Sequence, residues 1–126
     1  MSLISPGVVA VDCSDPRGLA QFYADVLGWE VVDDGRDDWV EVAGPRGRAL
    51  AFQLVEDYRP PRWPGQDVPQ QLHLDFDVRP EDMDEAERKV VALGARLVQH
   101  DEGKRDFRVY LDPAGHPFCL CFPKER

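Results

Sequence analysis

Asp15-Pro16-Arg17-Gly18-Leu19-Ala20-Gln21-Phe22-Tyr23-Ala24-Asp25-Val26-Leu27-Gly28 is a helix signal complete from start to stop. Asp15 reads as an N-cap and Pro16 as the first helical residue. Leu19, Phe22, Tyr23, Val26 and Leu27 then recur at i, i+3, i+4, i+7 and i+8, which lays one apolar stripe along one face. Gly28 ends the helix in the position just past its C-terminus. Sixty-six residues later Leu27-Gly28 is answered by Leu93-Gly94. The second helical pattern starts at Pro80 and places Met83, Ala86, Val90 and Leu93 on its core face. Glu81, Asp82, Asp84 and Glu85 fill its first turns and Arg88 and Lys89 follow, as the helix dipole favours.

The correspondence extends beyond the helices. Asp38-Trp39 returns as Asp106-Phe107 and Pro45-Arg46-Gly47 as Pro113-Ala114-Gly115, both at an offset of 68. Strand patterns are predicted at 8–12, 29–33, 38–43 and 49–55, and again at 72–78, 95–100, 106–111 and 117–122. Each half therefore reads strand, helix, strand, strand, strand. The expected class is α+β: two βαβββ modules, 7–56 and 72–123, forming a curved mixed sheet with helices on its outer face. A Pro-rich linker over 57–71 joins them in a single domain spanning 1–126. Half-domains of about 60 residues are marginal alone, so the modules are expected to pack together, within one chain or across a dimer.

Composition narrows the function classes. A formal charge of -9 over 126 residues argues against nucleic-acid and anionic-membrane partners. No stretch approaches the about 20 apolar residues of a membrane span, and the N-terminal residues lack the basic and apolar regions of a secretory signal, so a cytoplasmic location is expected. Cys13, Cys119 and Cys121 show no zinc-ribbon or CxxC spacing and read as reduced, small side chains.

Strand alternation assigns faces. Leu72, Leu74, Phe76 and Val78 belong to the core, and His73, Asp75 and Asp77 point the other way. Phe118, Leu120 and Phe122 face inward, and Pro117, Cys119 and Cys121 outward. Leu50, Phe52 and Leu54 leave Ala51, Gln53 and Val55 opposite, and Val9 and Val11 leave Val8, Ala10 and Asp12. A second face of such mixed polarity suits a ligand cleft between the modules. In the linker, Arg59, Arg62 and Trp63 are either contact residues of a binding loop or parts of a stiff connector.

With Asp15, Phe22-Tyr23 and Leu27-Gly28-Trp29 in the first half, and His73-Leu74-Asp75, Leu93-Gly94-Ala95 and Asp112-Pro113-Ala114-Gly115-His116-Pro117-Phe118-Cys119 in the second, the chain resembles the vicinal oxygen chelate superfamily. That is the fold of glyoxalases and bleomycin-resistance proteins, and the closest likeness is to small bacterial glyoxalase-like proteins. The resemblance covers residues 7 to 123 and implies a homodimer. Metal-dependent members place ligands on the first, fourth, fifth and eighth strands, and these positions fall on Val8, Gln53, His73 and Cys119. Valine offers no donor and an amide oxygen is a weak one, so no catalytic metal and no cofactor are expected.

The expected function is binding of a small organic molecule in the cleft without a catalytic metal. The alternative is a metal-dependent lyase, isomerase or dioxygenase-type enzyme acting on a small oxygenated metabolite. His73 is the candidate general base, against the simpler reading of a structural histidine. Gln53, Asp75, Cys119, Trp39, Trp63 and Tyr110 complete the candidate ligand-binding set. Cys119 is either a nucleophile or a small filler, and Trp39, Phe107 and Tyr110 either stack on the ligand or pack the core. Arg108, beside Tyr110, either reaches an anionic substituent or lies at the surface.

Overall fold

Asp15 caps the first helix as its sequence requires, its Oδ1 accepting the N–H of Gly18 at 3.1 Å. A computed structural model describes residues 2–123 of the chain; Met1 and residues 124–126, the ends of the expected domain 1–126, lie outside the described residues. The elements run β1 (Val9–Cys13), α1 (Pro16–Leu27), β2 (Glu30–Val32), β3 (Trp39–Gly44), β4 (Gly47–Leu54), β5 (Leu74–Asp77), α2 (Met83–Ala92), β6 (Arg96–Gln99), β7 (Phe107–Leu111) and β8 (Pro117–Cys121). The class is α+β with two βαβββ modules, as the sequence predicts. The strands are hydrogen-bonded into two four-stranded sheets rather than one, in the orders β1-β4-β3-β2 and β5-β8-β7-β6. In each, the first strand runs parallel to the last and the remaining neighbours are antiparallel.

Local chemistry explains the boundaries. Gly28 adopts φ 69° and its N–H bonds Ala24 O, so α1 stops where its glycine stands. Pro80 opens a single 3-10 turn, Pro80–Asp82, and the α-helix proper begins at Met83. β4 starts earlier than expected, because Gly44 pairs with Gly47 across a tight turn and carries the ladder to its tip. β5 starts later, at Leu74, where its ladder with β8 begins opposite Phe118.

The chain divides after Tyr58 into two compact units. In the first, Tyr23 of α1 stacks on Phe52 of β4 with centroids 5.5 Å apart, and Leu19, Phe22, Val40, Val42 and Leu50 are buried with them. In the second, Tyr110 of β7 stacks on Phe118 of β8 at 5.4 Å, and Met83 and Val90 of α2 are buried. The segment from Arg59 onward, expected as a linker, packs with this second unit. Gly115 sits at φ 89°, and a Cβ there would meet Pro60 Cβ at 2.8 Å. Among the described residues no helix is long and apolar enough to cross a membrane.

The helix side of the second sheet carries a buried ionic hub. Arg108 of β7 is 5% exposed, and its guanidinium bonds Asp101, Glu87 at 3.2 Å and Asp84 at 2.9 Å. Tyr110 O–H donates to the same Glu87 carboxylate at 2.9 Å. Burial opposes the charge on Arg108, but its hydrogen bonds to Asp101 and Asp84 outweigh it and raise the pKa. Burial, then the bond to Glu87, raises that of Tyr110. Removing one member of such a set strands its buried partners. We expect Arg108→Leu to lower unfolding free energy by about 3 kcal/mol in urea titrations.

Asp101 supplies the acid-sensitive part of this hub. The Gly103 N–H at 2.8 Å, followed by Arg108, holds its carboxyl below the ordinary carboxylate range. A folded-state pKa below the unfolded value near 3.9 stabilises the protein fully above that pH, and the contribution fades as pH falls through the folded value. Asp101→Asn is therefore expected to destabilise the chain at neutral pH, with a gap to wild type that shrinks below about pH 4 in melts across pH.

Candidate functional site

Because Phe118 and Tyr110 pack on the helix side, alternation sends Cys119 and Val109 to the opposite face of the second sheet. Ladder register then arranges that face in rows. Asp75, Cys119 and Val109 lie side by side across β5, β8 and β7, and Asp77, Cys121 and Phe107 form the next row. Above them opens a pocket of about 830 Å³, within the range of small-molecule sites. Trp63 and Gln70 from the segment before β5, and Asp106 and Phe122 at the strand ends, also line it.

His73, just before β5, points Nε2 at Asp75 Oδ1, 3.2 Å away. Residues two apart on a strand stand about 7 Å apart at their backbones, and side-chain rotation closes the gap. Their side chains are 41% and 57% exposed, so the pair lies open to a ligand. Beneath it, Cys119 is 7% exposed. Burial, then the nearby Asp75 carboxylate, pushes its thiol up to about 12. That removes the thiolate a nucleophilic cysteine needs at neutral pH and favours the filler reading.

The structure thus brings together four of the sequence-predicted residues: His73, Asp75, Cys119 and Trp63. Gln53 and Trp39 lie in the first unit, where register pairs Trp39 with Gln53 and Gln53 with Asp12. The first sheet's rows are counterparts of the second's: Asp12-Gln53-Trp39 matches Asp77-Cys121-Phe107, and Ala10-Ala51-Glu41 matches Asp75-Cys119-Val109. Gln53 is therefore the counterpart of Cys121, and Ala51 that of Cys119.

Tyr110 requires a correction. It is fully buried on the helix side, held by Phe118 and Glu87, and does not line the pocket. Arg108 shares that face and is neither ligand-facing nor superficial. Arg62 is turned to Asp67 at 3.1 Å, and neither it nor Arg59 lines the pocket. His100 and His116 are half-buried; Nδ1 of His100 accepts the Glu102 N–H at 2.8 Å. Gln70 was not singled out by the sequence, and Phe122, expected to face the core with Phe118 and Leu120, lines the pocket instead. Gln70 lies in a stretch without periodicity, and Phe122 stands one residue past the end of β8, where alternation no longer fixes its direction.

The superfamily's metal positions make a poor donor set, since Val8 has no donor and the Gln53 amide oxygen is a weak one. Within the second unit, however, one ligand atom each from His73, Asp75 and Cys119 lie within 4.8 Å of one another. Imidazole, carboxylate and sulfur together form a donor set that zinc accepts, provided the thiol ionises.

A family model for the glyoxalase-like domain matches residues 8–121. The chain belongs to that family. Solved structures with the same fold include a glyoxalase/bleomycin resistance protein/dioxygenase family enzyme from Burkholderia phytofirmans (18% identity, TM-score 0.68, covering 90% of this chain and 94% of that one). The fosfomycin resistance protein FosX from Mesorhizobium loti is similar at 14% identity and TM-score 0.71, covering 98% and 94%. A FosX variant from Listeria monocytogenes, complexed with manganese(II) and 1S,2S-dihydroxypropylphosphonic acid, is similar at 12% identity and TM-score 0.70, covering 98% and 95%. These likenesses show that the glyoxalase-like chain shares its fold with proteins of the glyoxalase/bleomycin resistance protein/dioxygenase group. No curated protein matches the sequence.

Burial and the neighbouring Asp75 carboxylate keep the Cys119 thiol protonated at pH 8. Iodoacetamide is therefore expected to leave Cys119 unmodified in the folded protein and to alkylate it readily in denaturant. Peptide mass spectrometry reads the difference.

Proposed function

We propose that this glyoxalase-like protein binds a small organic molecule on the pocket face of the second sheet, without needing a catalytic metal. The observation that carries the reading is the pocket itself. Trp63, Phe107 and Phe122 give it aromatic walls, and the closely placed His73–Asp75 pair gives it one polar end. Apolar walls with a few convergent polar groups are what orient a small ligand. His73 is the group assigned to meet a ligand oxygen or nitrogen, and Asp75 fixes the imidazole's direction.

A second reading has its own support. His73, Asp75 and Cys119 converge closely enough to hold one divalent ion, and a bound metal would supply Lewis-acid polarisation of an oxygenated substrate. The chain's own residues would hold the ion and leave one side open to the pocket. Against this stands the Cys119 thiol, which burial and Asp75 keep protonated and which must lose its proton to become a ligand.

Metal analysis of untagged protein separates the two readings. The lead reading expects substoichiometric metal, and a metabolite thermal-shift screen whose hits weaken at least about tenfold in His73→Ala. Stoichiometric zinc, nickel, iron or manganese that is lost in both His73→Ala and Cys119→Ser would replace it with the metal-dependent reading.

A further inference from the structure

The formally charged side chains that line the second unit's pocket are, among the described residues, all carboxylates. Asp75, Asp77 and Asp106 bring three carboxylates. Asp75 already faces His73 Nε2 and the Cys119 thiol, and Asp77 stands exposed on the same face. No lysine or arginine lines the pocket among the described residues.

The apolar part points to the same chemistry. Trp63, Phe107 and Phe122 present π-systems around those carboxylates. Aromatic faces attract cations, and the attraction grows when the cation is shielded from water. An anion here would face three carboxylates and neither a lysine nor an arginine among the described residues. From the carboxylate lining and its aromatic walls we infer that the ligand is an organic cation bearing N–H donors on a flat frame, such as an amidinium, guanidinium or aryl-ammonium group. The inference rests on the pocket being a small-molecule site and adds the charge and donor character of what fills it.

Three isosteric probes test it: benzamidine, benzamide and benzoate, which are cationic, neutral and anionic, titrated while backbone amide NMR shifts are followed. Benzamidine is expected to shift the pocket strands with a Kd at least about tenfold below that of benzamide, and benzoate to shift nothing. Asp77→Asn is nearly isosteric and exposed, and should weaken benzamidine about tenfold; unchanged shifts elsewhere report an intact fold. If benzamide or benzoate binds the pocket as tightly as benzamidine, the pocket reading stands and the cation assignment falls. It falls as well if a double Asp75→Asn, Asp77→Asn variant keeps wild-type affinity for benzamidine. If none of the three probes binds up to about 10 mM, the cation assignment is overturned, while hits from the metabolite screen would still uphold the pocket reading.

Discussion

Everything in the second unit turns on the two-residue period of β8. Phe118 and Leu120 must bury against Tyr110 and the helix, so Cys119 and Cys121 are committed to the other side of the same strand. A slip of one residue would send both cysteines into the core and two large apolar side chains into the pocket. The core thus sets the pocket: aromatic packing on one face fixes which atoms a ligand meets on the other. The Arg108 hub strengthens this by tying β7 to α2 and to the turn before it through three carboxylates.

Much of this was legible in the sequence because the signals are local. Asp15, Pro16 and Gly28 carry their own capping chemistry, and the alternation of Leu74, Asp75, Phe76 and Asp77 needs no partner to be read. What was not legible depended on distant contacts. Arg108 and Tyr110 could be placed on one face together. Which face, however, is settled by Asp84 and Glu87, more than 20 residues away, which capture both side chains. The 59–71 segment has no period at all, and its placement comes from contacts such as Pro60 against Gly115. The His73–Asp75 pair hinged on rotamers, which spacing alone does not supply.

The ladder registers sharpen what the internal repeat means. Strands β3 and β7, and β4 and β8, correspond at an offset of 68, but β1 and β5 correspond at 65, because Ala10 lies beside Ala51 as Asp75 lies beside Cys119. The two sheets therefore share a scaffold row for row and differ in what they hang on it. Where the second sheet carries Asp75 and Cys119, the first carries two alanines, and its Glu41 is paired with Arg48 at 3.2 Å. The His73-Asp75-Cys119 cluster has no counterpart on those rows of the first sheet.

The state of Cys119 also bears on durability. Peroxide attacks the thiolate far faster than the thiol, and each oxidation step would place a bulky, polar oxygen at the centre of this face. Held protonated by its burial and by its acidic neighbour, this sulfur resists the first step toward sulfenic acid. This point on the pocket floor should therefore keep its shape under oxidative stress.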